Sequence, residues 1–282
     1  MTSLIELMVR LCNTRLASYG KYPNYDAIKN QFPTPKDNIF ITCIPKSGST
    51  FLYECLTQLT GYKQIPIAYA GGGNEHNLYI PNLVMSFTYP TVSKHHMMVT
   101  TSNNQLMDLF AIRPIVLTRN LFDVTVSLRN HYQKFFQERK FPADFSPGGN
   151  MVFFNQEFLK MDSKTQYDAI IALNLPWFIN FYVTWYNAQQ HNLCDFLWIT
   201  YEELMSEQVE TIKKITRHYH IQKNDSDIET SIAQAQKRPI RFNKGISGRG
   251  KAELSDIQID QIIQLTRFYP WVDFSRLGIV NE

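Results

Sequence analysis

Cysteines are scarce and scattered in this sequence, which argues against the kinds of site that depend on paired thiols. The four cysteines, Cys12, Cys43, Cys55 and Cys194, form no CxxC pair. A disulfide framework and a structural zinc site are therefore disfavoured, and a reducing compartment is expected. We predict a cytoplasmic protein.

Long apolar runs and a strong net charge are also lacking. No apolar stretch reaches the length of a membrane span, so stable membrane insertion is not expected. Residues 1–10 lack the features of a secretory signal and are more typical of a short amphipathic helix. The net charge of +3 is too small to indicate a nucleic-acid partner, whereas it suits an anionic small molecule.

The apolar content is sufficient for one large domain. The chain has 282 residues, of which 44% are apolar and 19% charged, and no repeat or linker divides it. Apolar and β-branched runs predict strands at 38–44, 91–95, 113–118 and 196–200. Helical periodicity predicts helices at 50–59, 123–136, 175–190, 201–220 and 255–266. This alternation predicts an α/β fold, a single domain with a central parallel β-sheet flanked by helices.

The segment 39–52 has the pattern of an anion site. An apolar run ends in a small-residue turn, and an apolar helical segment follows at once. Backbone N–H groups and the helix dipole would meet there, while Lys46 adds charge and Ser47, Ser49 and Thr50 add hydroxyl groups. This is not a Walker A motif, because the early glycine is missing and the lysine does not directly precede the hydroxyl residue. An ordinary strand–turn–helix is the alternative.

Two further segments could bind an anion. Arg119 directly follows the strand 113–118, and with Ser127 it could recognise a second phosphate. Alternatively, Arg119 pairs with Asp123, and Ser127 is a buried helix serine. In 242–251, three glycines alternate with cationic residues, a pattern that could wrap an anion or simply form a solvated loop.

Lys94, His95 and His96 stand at the end of the strand 91–95. One histidine with a nearby lysine could provide a general base and an electrostatic clamp. Adjacent residues of a strand point to opposite faces, so at most one of the two histidines would face a common site. A structural histidine is the alternative interpretation.

Together and in this order, these segments resemble the sulfotransferases that use 3′-phosphoadenosine 5′-phosphosulfate (PAPS), and in particular their cytosolic branch. The resemblance covers about residues 38–260, between an N-terminal helical segment, 1–37, and a C-terminal segment, 261–282. It implies a P-loop-like turn that binds the 5′-phosphosulfate. The residues of this turn are Pro45, Lys46, Ser47, Gly48, Ser49, Thr50 and Phe51.

The resemblance also implies a second group of nucleotide contacts. These are Phe51 and Tyr201 at the adenine, Arg119 and Ser127 at the 3′-phosphate, and Asn243, Lys244 and Gly245 beside that phosphate. Phe51 stands where a tryptophan is usual, so stacking would involve less area. Asn243 stands where the family has arginine, so this contact is either weaker or supplied by Arg241 or Arg249.

The implied reaction is the in-line transfer of a sulfuryl group to a hydroxyl or amine of a small molecule. The product is 3′-phosphoadenosine 5′-phosphate (PAP), and no metal is implied. His96 corresponds to the general base, Lys46 to the residue that neutralises the leaving oxygen, and Lys94 to a residue that stabilises the transferring group. His95 fills a position that is usually threonine. The aromatic content of 13% suits a flat or apolar acceptor.

Three other functions remain open at this point. A nucleotide-dependent kinase would need magnesium and a Walker-type loop, an inactive module would keep only the nucleotide cleft, and a membrane-bound carbohydrate sulfotransferase would need a span. Residues 251–260 loosely match the dimer segment of the family, so monomer and homodimer are both open.

Overall fold

Strands and helices alternate along the chain. The computed structural model describes residues 3–12, 25–34, 37–69, 76–139, 154–237 and 248–280. The strands are β1 (Asn38–Cys43), β2 (Lys63–Gln64), β3 (Ala68–Tyr69), β4 (Asn77–Leu78), β5 (Thr91–His95), β6 (Ile115–Thr118) and β7 (Leu197–Thr200). The helices are α1 (Leu4–Cys12), α2 (Tyr25–Lys29), α3 (Ser49–Thr60), α4 (Ile80–Leu83), α5 (Thr101–Leu109), α6 (Leu121–Glu138), α7 (Ser163–Leu173), α8 (Leu175–Gln190), α9 (Tyr201–Ser206), α10 (Gln208–His218), α11 (Asp225–Lys237), α12 (Gly250–Glu253) and α13 (Asp256–Thr266). Short 3₁₀ helices lie at Val84–Phe87, Gln156–Lys160 and Ser275–Leu277.

The centre of the fold is a sheet of five parallel strands in the order β2-β5-β1-β6-β7. Strands β3 and β4 form a separate antiparallel pair. The predicted α/β fold with a central parallel sheet is therefore confirmed. Among the helices of the described residues, none has the length and apolar character that crossing a bilayer requires.

Helices cover both faces of the sheet. Ile39, Ile41 and Cys43 of β1 pack into one apolar cluster, and Phe40 packs into another on the opposite face. Every residue of β1 is buried. Alternating side chains that are all buried are the expected state of a parallel strand covered on both sides.

The strand order creates a crevice at one edge of the sheet. The chain leaves β1 toward β5 on one side and later returns to form β6 on the other side. The carboxyl ends of β1 and β6 therefore flank a topological switch point, where open α/β sheets bind ligands. The lysine turn follows β1, Arg119 follows β6, and His96 follows β5.

Two predicted helix boundaries were wrong. Helix α6 begins before residue 123, because the side chain of Asn120 accepts hydrogen bonds from the first N–H groups of the helix. The single helix predicted over 201–220 is two helices, α9 and α10. Glu207 separates them with φ −134° and ψ 54°, which lie outside the helical region.

Candidate active site at the carboxyl ends of the strands

The turn after β1 has a backbone conformation that few residues adopt. Lys46 and Gly48 have φ values of 68° and 82°, in the left-handed region. The hydroxyl of the buried Ser47 donates a hydrogen bond to the carbonyl of Ile44 at 2.8 Å, which closes the turn from inside. Gly48 then caps α3 without a side-chain hydrogen bond. The cap itself therefore leaves the N–H groups of this helix end to other partners, such as an anion.

Tyr201 packs directly over Gly48. A Cβ atom at position 48 would lie 2.7 Å from Cδ2 of Tyr201, which no real Cβ contact tolerates. Tyr201 is the first residue of α9 and is only 4% exposed. The left-handed φ and the ring together therefore require glycine at this position. The structure places this tyrosine beside the turn, and its contact with an adenine remains a prediction.

Arg119 joins the two segments that were predicted to bind anions. Its Nη1 donates a hydrogen bond to the carbonyl of Lys46 at 3.0 Å. Its guanidinium lies 3.9 Å from the ring centroid of Tyr201, in cation–π contact. The side chain is buried, and its Nε has no hydrogen-bond partner among the described residues. Burial lowers the pKa of Arg119, but an arginine keeps its charge at neutral pH.

Asp123 is the buried carboxylate of this region. It forms an ion pair with Arg119, with 3.8 Å between Oδ2 and Nη2. Its two oxygens also accept hydrogen bonds from the N–H groups of Gly248 at 2.8 Å and Gly250 at 2.7 Å. The pairing of Arg119 with Asp123, given above as the alternative to a phosphate site, is therefore present. It leaves Nε of the arginine without a hydrogen-bond partner among the described residues, and a role of Arg119 in anion binding stays a prediction.

His96 is held in a defined tautomer. Its Nδ1 lies 2.6 Å from the carbonyl oxygen of Cys43, at the end of β1. Because a carbonyl only accepts hydrogen bonds, Nδ1 carries the proton and Nε2 keeps the lone pair. Burial is the main cause that lowers the pKa of His96 to about 4; the Cys43 hydrogen bond opposes it, and the charge of Lys94 acts in the same direction as burial. The ring is therefore neutral at pH 7 and able to accept a proton at Nε2.

Lys94 links β5 to the helix after the lysine turn. Its Nζ donates a hydrogen bond to Oγ1 of Thr50 at 3.0 Å and lies 5.7 Å from the ring centroid of Tyr53. The structure thus brings together the lysine turn, the arginine after β6, the lysine within β5 and the histidine after it, which come from three separate parts of the sequence.

The sequence matches the family model of the sulfotransferase domain over residues 36–247. The chain belongs to the sulfotransferase domain family. No curated protein sequence gives a significant match.

Solved structures share the fold with this sulfotransferase-family chain. A mouse sulfotransferase, SULT7A1, complexed with PAP, is 16% identical, with a TM-score of 0.59 over 87% of this chain and 89% of that one. A retinol dehydratase in complex with androsterone and PAP is 12% identical, with a TM-score of 0.53 over 95% and 96% of the two chains. A complex of retinol dehydratase with retinol and PAP is 13% identical, with a TM-score of 0.54 over 94% and 93%. At these identities the likeness establishes the fold.

His95 has hydrogen-bond partners that differ from those of His96. It is 5% exposed, and its Nε2 accepts a hydrogen bond from the N–H of Ala68 at 3.3 Å. The proton of the neutral ring is then on Nδ1, which lies 3.3 Å from Nδ1 of His76. Burial, followed by the neighbouring His76, His96 and Lys94, lowers the pKa of His95 to about 3. This histidine is neutral and fully engaged in structural contacts.

His76 is a residue of this region that the sequence analysis did not single out. Its Nδ1 accepts a hydrogen bond from the backbone N–H of His96 at 2.9 Å, in addition to the contact with His95. Its ring centroid lies 5.3 Å from those of both histidines. Nothing local in the sequence marks this role, because the residue precedes β4 and meets the end of β5 only through the fold.

The other predicted nucleotide contacts differ in their burial and in whether the structure describes them. Ser127 is 3% exposed and lies one turn beyond Asp123 on α6. Phe51 is 1% exposed and packs in the apolar cluster that includes β1 and α3, so its contact with an adenine remains a prediction. Pro45 and Ser49 are buried, whereas Thr50 is exposed. The predicted contacts that lie outside the described residues are Asn243, Lys244 and Gly245, together with Arg241.

Proposed function

We propose that this protein is an enzyme that transfers a sulfuryl group from PAPS to a hydroxyl or amine of a small molecule. The observation that carries the proposal is the 3.0 Å hydrogen bond from Arg119 to the carbonyl of Lys46. It makes the two predicted anion-binding segments neighbours in one crevice. A nucleotide with two separate anionic ends requires such an arrangement, and membership of the sulfotransferase family supports the same interpretation.

The described residues fit this nucleotide. At one end, the turn 45–51 offers a lysine, hydroxyl groups and the N-terminus of α3, which is twelve residues long. At the other end, the buried Arg119 has an Nε that lacks a hydrogen-bond partner among the described residues. A guanidinium that is already oriented by Lys46 and Asp123 can still donate to a phosphate. Bound PAPS would supply an activated sulfuryl group.

Three residues of the chain would then have separate roles in the sulfuryl transfer. His96 would accept the proton of the acceptor at Nε2, because its Nδ1 proton is held by the carbonyl of Cys43. Lys46 would neutralise charge on the leaving oxygen, and Lys94 would stabilise the transferring group from its position beside Thr50. The fixed turn and the fixed histidine would lower the entropic cost of bringing the reactants together.

We propose that the acceptor is a small, largely apolar molecule that carries the hydroxyl or amine. The aromatic content of 13% supports this class. Two of the structural neighbours, which are complexes of retinol dehydratase with androsterone and with retinol, support it as well. A cytoplasmic location is part of the proposal, and the free thiols of Cys43, Cys55 and Cys194 suit a reducing compartment.

The test has a binding arm and an activity arm. Calorimetry with PAP should show binding without added metal, and Lys46→Ala and Arg119→Ala should each weaken it. Incubation with PAPS and a panel of phenols, alcohols, amines and sugars, in the presence of EDTA, should release PAP with at least one acceptor. No affinity for PAP in the wild type would overturn the proposal. ATP turnover that requires magnesium would favour a kinase, and PAP binding without turnover of any acceptor would favour an inactive module.

A further inference from the structure

We propose that Arg249 binds the 3′-phosphate of the nucleotide together with Arg119 and supplies the cation that position 243 lacks. This inference rests on the proposed function, because it assigns a ligand group to the same crevice. Arg249 is one of the two residues, with Arg241, that the sequence analysis named as a source of the cation absent at position 243.

The backbone on both sides of Arg249 is fixed to α6. The N–H of Gly248 donates to Oδ2 of Asp123 at 2.8 Å, and the N–H of Gly250 donates to Oδ1 at 2.7 Å. Asp123 is fully buried. A buried carboxylate that accepts two backbone hydrogen bonds holds the peptide between them firmly. Arg249 is therefore attached to the same carboxylate that pairs with Arg119.

Gly250 shows how closely this segment approaches α6. A Cβ atom at position 250 would lie 2.2 Å from the backbone carbon of Phe122 and 2.4 Å from the backbone nitrogen of Asp123. Since neither backbone atom can move aside, only glycine allows this approach. The close contact brings Arg249 to the first turn of α6, and Arg119 lies just before this helix.

The side chain of Arg249 has hydrogen-bonding capacity that its neighbours do not use. Its Nε is buried and has no hydrogen-bond partner among the described residues. Arg249 forms a long ion pair with Glu253, in which Nε and Oε1 are 3.9 Å apart, beyond hydrogen-bond range. The Nε of Arg119 is in the same state. Arg119 and Arg249 thus each keep a buried Nε–H without an acceptor among the described residues, which is costly unless a ligand supplies one.

The charges of the region favour a ligand with more than one negative charge. Burial lowers the pKa of Arg119, and the positive charge of Arg249 lowers it further, against the opposing effects of Tyr201, Asp123 and Glu202. The positive charges of the two arginines therefore repel each other. A terminal phosphate would offset this repulsion and would accept several hydrogen bonds in the planar geometry that guanidinium groups offer.

The experiment measures the affinity for PAP and for adenosine 5′-phosphate (AMP), which lacks the 3′-phosphate, by calorimetry. We expect Arg249→Gln to weaken PAP binding by about 10- to 100-fold, the range for a charge-assisted hydrogen bond, and to leave AMP binding unchanged. Arg249→Lys should retain part of the preference for PAP. The matched control is Arg217→Gln, which removes the same charge at an exposed position of α10 and should change neither affinity.

The outcomes separate this inference from the proposed function. If the wild type fails to bind PAP, the proposed function itself is wrong. If the wild type prefers PAP over AMP and Arg249→Gln keeps the same preference, only the role of Arg249 is wrong. An equal loss of both affinities in Arg249→Gln would also overturn it, because the effect would then not involve the 3′-phosphate. Loss of the preference in Arg241→Gln but not in Arg249→Gln would assign the missing cation to position 241. Melting temperatures measured without ligand show whether each variant is folded.

Discussion

Substitution of Gly48 by alanine tests whether Tyr201 is built over the lysine turn. The change adds two costs. A left-handed φ of 82° disfavours alanine by about 1–2 kcal/mol. A methyl group 2.7 Å from Cδ2 of Tyr201 also forces the ring to move, and overpacking of this kind costs about 1–3 kcal/mol. The free energy of unfolding should therefore fall by about 2–5 kcal/mol.

Gly61→Ala is the matched control at the other end of the same helix. Gly61 has a φ of 69°, and a Cβ atom there would meet nothing within 4 Å. Gly61→Ala therefore carries only the cost of the left-handed backbone conformation, and we expect its free energy of unfolding to fall by about 1–2 kcal/mol. Urea unfolding monitored by fluorescence measures both variants, and the difference between them reports the ring contact. Displacement of Tyr201 from Arg119 should also weaken PAP binding in Gly48→Ala but not in Gly61→Ala. Equal losses of stability in the two variants would refute the reasoning.

Four further predictions concern the histidines. His96→Gln should lower kcat by about 10²–10⁴-fold, whereas His95→Gln should retain more activity; a dead His95→Gln beside an active His96→Gln would show that the base was assigned wrongly. Because the pKa of His96 is lowered to about 4, kcat/KM should stay level from neutral pH down to about pH 5 and fall near pH 4; a fall centred near 6.5 would contradict this. Because the pKa values of His95 and His96 are lower in the folded protein than in the unfolded chain, the unfolded chain binds protons first as the pH falls. The free energy of unfolding, measured by urea titration at each pH, should therefore be highest above about pH 6.5 and should decline as the pH falls toward 4. His76→Asn, which keeps a hydrogen-bond acceptor for the His96 N–H, should retain more kcat than His76→Phe, with KM for PAPS similar in both; equal kcat values would show that the acceptor is unimportant.

Several elements could be predicted because their cause is local. The segment 175–190 has a strongly apolar helical pattern, and α8 has the same bounds. The apolar run before the lysine turn predicted β1 to within one residue. Helices α5 and α11 were not predicted, because their sequences are polar and their stability comes from contacts elsewhere. Helix α11 packs against α3, where Sγ of Cys55 lies 3.3 Å from Oγ of Ser231.

The candidate site was predictable only in its separate parts. The lysine turn carries its own signal, because a strand, small residues and a helix follow one another without interruption. The order of its segments also indicated the sulfotransferase family, which the match over 36–247 confirms. The role of His76 carried no such signal, since it depends on His96, which follows β5 in the chain and meets His76 only in the folded protein.

The amino-acid sequence by itself determined which segments become strand, turn and helix around β1 and β6, because those choices follow from short-range periodicity and side-chain type. The tertiary structure alone decided that Arg119 reaches the carbonyl of Lys46, 73 residues earlier in the chain. It likewise decided that Asp123 holds Gly248 and Gly250. Such contacts depend on the order of the strands and on the distance between helix and loop. The local sequence pattern of a segment does not indicate which distant segment will lie beside it in the sheet.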